Sequence, residues 1–262
     1  MSLTAAPPRI DPRIRERRIA VERDRGRRRL RKLVTGLVIL AVVAGTWGIT
    51  RSALLDVDHV RVVGAGHTGE QAVIVASGIH HGDALLTAPV GRAARRIATL
   101  PWVQTVRVGR SWPGTVVITV VERTAAAAVP AQGGQWLLVD AQSRQLQLVK
   151  DAGPKLVRID TAPVVPKLGS ELTGRTATVL EVAASIPDAL HDQIVALRSA
   201  SGDTVEGTVR LRNGTEASLK FGAPTQIPAK WLALLSVLDQ VDPAHIAGID
   251  IRVPASPALT SR

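Results

Sequence analysis

Hydrophobic positions along the 262 residues fall into three regimes. From 33 to 50 they form one uncharged run, LVTGLVILAVVAGTWGIT. Eighteen residues at the helical rise reach ~27 Å, close to the ~30 Å hydrocarbon core of a bilayer, so the run predicts one membrane-spanning helix. Beyond it, apolar residues recur at period two or at helical spacing, the mark of half-buried elements. A strand is predicted over 57–63. Thr68-Gly69-Glu70-Gln71 has the spacing of a capping box that opens a helix, and Gly78 closes it. A second helix begins at Pro89 and carries Arg92, Arg95 and Arg96 outward. Two strands over 102–110 and 115–122 follow, joined by Ser111-Trp112-Pro113-Gly114. Val106 and Val108 share one face of the first, and Val116, Ile118 and Val120 one face of the second. The order strand, helix, helix, strand, strand predicts two helices covering one face of a small sheet.

The third regime is richer in strands, with segments predicted over 135–140, 145–150, 156–160, 193–198, 205–212 and 215–221. The last two flank Asn213-Gly214, a strong hairpin signal because a type I′ turn needs positive φ at both centres. Helices over 176–185 and 227–240 interrupt, the latter with Trp231, Leu234, Leu235 and Leu238 on one side. A final strand over 246–253 ends at Pro254. The fold class is therefore α+β: a basic tail over 1–32, a transmembrane helix over 33–50, a β-α-α-β-β domain over 55–124, a mostly antiparallel β domain with two helices over 125–254, and a C-terminal tail over 255–262.

Charge changes the picture at one end only. Residues 1–32 hold twelve Arg or Lys against four Asp or Glu, a balance of +8 that leaves +3 of the chain's +11 for the remainder. Positive charge massed on one flank of an apolar run sets orientation and keeps the N-terminus in the cytoplasm; it does not call for nucleic acid. A cleaved signal peptide would need a short basic region and small residues at the cut, whereas this basic region is 32 residues long and Arg51-Ser52-Ala53 offers arginine. For the tail itself, anionic lipid, a cytoplasmic partner and plain solvation stay open, as does a weak interfacial helix through Ile10, Ile14, Arg17, Arg18 and Val21. With no cysteine, thiol chemistry and Cys-ligated zinc are excluded. One Phe, no Tyr and five Trp leave the core to aliphatic side chains.

Three patterns imitate chemistry. Gly64-Ala65-Gly66-His67-Thr68-Gly69 is a literal G-x-G-x-x-G between a strand and a helix, with Asp83 nineteen residues past its first glycine. A dinucleotide site also needs a second hydrophobic strand ending at that acid, and Gly78-Ile79-His80-His81-Gly82 cannot form one. His67, His80 and His81 lack a helical i, i+4 pair for metal. Ser77, His81 and Asp83 crowd one loop rather than forming a triad. No catalytic residue, cofactor, metal or small-molecule substrate is expected.

Leu100-Pro101-Trp102-Val103, Val106, Val108, Arg110, Trp112-Pro113, Thr115, Ile118 and Glu122-Arg123, with Val60, Val62 and Gly64 before them, resemble the POTRA domain of the bacterial cell-division family FtsQ/DivIB. More loosely, Leu211-Arg212-Asn213-Gly214, Leu219, Phe221-Gly222, Lys230 and Ile249-Asp250-Ile251-Arg252 resemble that family's β domain. The resemblance implies a non-catalytic scaffold of the division machinery, single-pass in the cell membrane with its bulk outside, at the septum, with partners similar to FtsB and FtsL. In relatives the strand after the Asp-x-Arg motif offers an edge to which a partner chain pairs, which carries partner contact to Arg252, Val253 and Leu259. A POTRA-bearing secretion or outer-membrane assembly factor is the alternative; it should possess a β-barrel or tandem POTRA units, which the remaining 138 residues do not accommodate.

Overall fold

The computed structural model describes residues 31–45, 48, 56–240 and 246–261. Residues 1–30 of the basic tail, with the interfacial helix expected in them, Trp47 near the far end of the apolar run, and the candidate cleavage site at 51–53 lie outside the described residues. Residues 31–45 form a helix, α1, whose Leu33, Leu37 and Leu40 are each at least 65% exposed. Among the described residues no helix is long and apolar enough to cross a membrane.

Among the described residues, α1 and segments 56–59, 80–88 and 111–115 belong to one compact unit. Asp56 bridges Ala84, the Val57 amide donates to the Asp83 carbonyl at 2.8 Å, and the Asp58 amide donates to the Gly114 carbonyl at 2.7 Å.

In the larger unit, strands β1 (His59–Val63), β2 (Val103–Ser111) and β3 (Thr115–Glu122) form a sheet in the order β1-β3-β2. Helices α2 (Glu70–Ser77) and α3 (Val90–Ile97) pack together and bury Val73, Ser77, Ala93 and Ile97. Alternation along β3 buries Val116, Ile118 and Val120, as its period predicts. The order of elements is the predicted one. The start of α2 differs: Gly69 is the N-cap and no side chain caps it locally, so the expected Thr68–Gln71 box does not form.

The second sheet has nine strands in the order β12-β11-β10-β9-β8-β7-β4-β5-β6. They are β4 (Ala125–Ala131), β5 (Gln135–Asp140), β6 (Gln145–Val149), β7 (Val157–Asp160), β8 (Ile194–Ser199), β9 (Val205–Arg210), β10 (Glu216–Gly222), β11 (Ile246–Asp250) and β12 (Ala258–Ser261). Five neighbouring pairs are antiparallel and three, β4–β7, β7–β8 and β10–β11, are parallel. The last two need crossovers, supplied by α4 (Arg175–Ala184) and α5 (Ile227–Gln240). Both helices bury an aliphatic stripe in one core with Leu137, Ile159, Leu197 and Leu219. Trp231 of α5 stacks tilted on Phe221, centroids 4.8 Å apart, and its indole donates to the Ser185 hydroxyl beyond α4 at 3.1 Å. Two strands depart from expectation. β4, a stretch for which no strand is predicted, pairs with both β5 and β7. β12 lies inside the stretch read as a C-terminal tail over 255–262, and the strand read over 246–253 stops at Asp250.

Candidate functional site

A nine-stranded open sheet exposes backbone donors and acceptors at its two outer strands, where a further strand can pair. The two edges are not equivalent. At the start of β6 the 167–170 loop lies across the edge: the Gly169 amide donates to the Gln145 carbonyl at 2.8 Å, the Gln145 amide to the Ser170 carbonyl at 2.9 Å, and the Lys167 amide to Gln145 Oε1 at 2.6 Å. β12 pairs only with β11, through Ile249↔Leu259 and Gly248↔Thr260, and all four of its residues are exposed. It carries no charge, proline or bulge of its own, the devices that usually blunt such an edge.

The loop leading into β12 runs beside the outer side of α5. Between them lies a groove of about 860 Å³, lined by Leu232, Ala233 and Ser236 from the helix and Pro254 and Pro257 from the loop. Leu232 is 65% and Val253 61% exposed. Lys230 fixes the helix end of this wall. Its buried Nζ donates to the Ala223 carbonyl at 2.6 Å and lies 4.8 Å from the Phe221 ring, and burial pushes the ammonium below its ordinary range.

The three predicted contact residues are thus spread along one path. Leu259 lies in the edge strand, Val253 on the loop, and Arg252 at the exit from β11. Arg252 is exposed, yet its guanidinium is engaged: Nε donates to both Asp250 oxygens at 3.0 Å and Nη2 to Oδ2 at 2.6 Å. That side-chain hydrogen bond holds the Asp250 carboxyl below the usual carboxylate range, though burial opposes it, and raises Arg252. The arginine stem lies on Gly222, whose φ is 77° and whose added Cβ would come 2.8 Å from Arg252 Cγ. Gly222→Ala is therefore expected to cost about 1–3 kcal/mol through the backbone and to dislodge the Arg252 pair. The check is a thermal melt with a carboxyl NMR titration, in which the Asp250 signal should move up toward the ordinary aspartate range. The outer positions of α5 and the strand after Pro257 escape prediction: one is a solvent face without a period, the other four residues with a single large apolar side chain.

The decoy motifs have structural occupations. The glycine loop 64–69 turns its His67 and Thr68 amides onto the Glu122 carboxylate of β3, at 2.9 Å to Oε2 and 2.6 Å to Oε1, and His67 Nδ1 lies 3.0 Å from Oε2. The His67 ring stacks on Trp102 with centroids 4.4 Å apart. A cradle that could hold a phosphate is filled by the protein's own acid. Burial alone would raise the Glu122 carboxyl; the donors from His67 and Thr68 outweigh it and hold the group at about 2. Of the lowering influences the His67 amide is the largest, followed by the side chain and amide of Thr68 and the His67 ring. Ser77 Oγ donates to the Ile74 carbonyl and accepts from the Ile79 amide, closing α2. Among the described residues no group of three or more His, Asp or Glu is placed to hold a metal ion.

Arg123 reaches the other way. Its Nη1 pairs with the buried Asp140 at the end of β5, Nε donates to the Val103 carbonyl at 3.2 Å, and its amide to the Trp102 carbonyl at 2.8 Å. Arg144 returns the link through Nε to the Pro101 carbonyl at 3.3 Å.

The chain is similar to known cell division proteins. The family profile "POTRA domain, FtsQ-type" matches residues 55–123. The cell division protein FtsQ of Streptomyces bingchenggensis is 29% identical over 249 residues, covering 90% of this chain and 90% of that protein. FtsQ of Corynebacterium glutamicum is 31% identical over 114 residues, 44% of this chain and 49% of the relative. The solved extracytoplasmic domain of the division protein DivIB from Geobacillus stearothermophilus aligns at 19% identity and a TM-score of 0.27, over 38% of this chain and 79% of that one.

Proposed function

We propose that the chain, similar throughout to FtsQ/DivIB-type bacterial cell division proteins, is a non-catalytic scaffold of the division machinery that captures partner chains outside the membrane. Its topology is single-pass, N-terminus inside, with residues 33–50 as the span and the septal membrane as its place. What supports this is the +8 tail abutting an uncharged run, together with α1, whose large apolar side chains point outward on every side and ask for lipid. The partners are single-span division proteins similar to FtsB and FtsL.

The observation that carries the scaffold reading is the asymmetry of the sheet's edges. β12 is a bare, uncharged edge beside an apolar groove, and the opposite edge is strapped at its start. A partner segment gains main-chain hydrogen bonds along β12 and sets an apolar side chain against Leu232 and Val253.

Leu259→Lys tests it. An exposed edge lysine opposes strand addition while leaving the fold within about 0.5 kcal/mol of wild type. Co-purification of the partners from detergent-solubilised membranes with the full chain as bait should be lost, with an unchanged melting curve. Undiminished capture by the variant refutes the edge as the contact. A fluorescent fusion spread evenly around dividing cells, with normal division after depletion, refutes the division role.

A further inference from the structure

Segments 56–59, 80–88 and 111–115 belong to one compact unit. Two large apolar side chains stand out of this unit into solvent: Trp112, 55% exposed, in the turn between β2 and β3, and Leu86, 47% exposed. Pro113 beside Trp112 is exposed as well. None of them serves the core. Both loops are tied to Asp56 and Asp58, because the Asp58 amide donates to the carbonyl of Gly114, two residues after Trp112, and Asp56 bridges Ala84, two residues before Leu86.

From the topology proposed above, on which this inference rests, the apolar run ends at Thr50 and only residues 51–55 separate it from Asp56. Six Cα steps reach at most about 20 Å, so the entry end of the folded part stays within that distance of the bilayer surface. An indole is the side chain best suited to the headgroup layer, apolar over its rings and with one N–H to donate. We infer that Trp112, with Pro113 and Leu86, dips into the headgroup region of the outer leaflet and forms a second, reversible lipid contact beside the covalent tether. The depth is interfacial, not hydrocarbon, because Asp56, Asp58 and Asp83 share the same unit and must keep their water. Asp83 already accepts the His80 amide at 2.8 Å.

The absence of cysteine makes the test clean. The full chain, reconstituted in phosphatidylcholine–phosphatidylglycerol vesicles, receives an environment-sensitive thiol dye in the Trp112→Cys, Leu86→Cys or Ser201→Cys variant, the last in the turn after β8. All three positions are exposed, so the fold tolerates the label. Expected are a blue shift, protection from aqueous iodide and quenching by brominated lipid at 112 and 86, with none of these at 201. Labels at 112 and 86 as open to iodide as the one at 201, in protein that floats with the vesicles, overturn the inference and leave the topology standing. Protection that develops only after partner chains are added also overturns it, by naming a protein contact. Protein that fails to float sinks the topology and this inference with it.

Discussion

Arg123→Ala is expected to lower the stability of the exported part by about 3 kcal/mol, the low end for removing one member of a buried ion pair. Asp140 is only 2% exposed. Its Oδ1 accepts the Gln142 and Arg144 amides at 2.9 and 2.8 Å, and these survive the substitution. Its Oδ2 loses the guanidinium, so a buried carboxylate is left without its counter-charge. For a region of this size the melting temperature should fall by roughly 6–12 °C. The pair also joins the end of β3 to the turn after β5, so calorimetry should show one transition for wild type and a broadened or split one for the variant. Double replacement by leucine, Arg123→Leu with Asp140→Leu, should recover part of the loss, because the charge no longer needs compensation. Recovery stays partial, since Asp140 also organises the 140–144 turn. A drop below about 0.5 kcal/mol in the single variant, the size expected of an ordinary surface change, would show that the pair is incidental.

What could be read in advance, and what could not, divides along the range of the interactions. Strands whose alternation is strong were legible: β3 through Val116, Ile118 and Val120, and β10 through Ala217, Leu219 and Phe221. α5 was legible at both ends because its apolar stripe is long. β4 was not, since Ala-Ala-Ala-Ala-Val-Pro-Ala has a single β-branched residue, Val129, and no alternation, and it becomes a strand because β5 and β7 flank it on both sides. β12 hid behind Pro254 and Pro257, which punctuate the chain without preventing four residues from returning to the sheet. The Glu122-Arg123 pair was visible as a pattern, and its division of labour was not. One side chain turns back 54 residues to Thr68 and the other forward 17 to Asp140. In the candidate site the motif located Arg252, whereas its engagement with Asp250 depends on side-chain geometry and the groove on the outward face of α5, which no periodicity marks.

Glu122→Gln should produce the other large effect, and a pH dependence identifies it. In wild type the carboxylate satisfies two backbone amides at the mouth of α2 in place of a local cap. The amide side chain keeps the shape, loses the charge, and turns one of its two oxygen positions into a donor that faces another donor. The expected cost near neutral pH is about 2–3 kcal/mol. The sign with acid follows from linkage. The folded carboxyl sits at about 2 against an ordinary 4.5, so the unfolded chain binds the proton first, and the stabilisation present above about pH 5 drains away as pH falls toward 2. A shift of that size corresponds to about 3 kcal/mol, in line with the hydrogen-bond figure. The variant has no such group to titrate. Urea titrations of both proteins at pH 7, 4 and 2.5 should therefore show a gap that is widest at pH 7 and nearly closed at the lowest pH. A gap that stays constant with pH would mean that the lost shape, not the lost charge, destabilises the variant, and that the glycine loop is held by packing on Trp102 rather than by its acid.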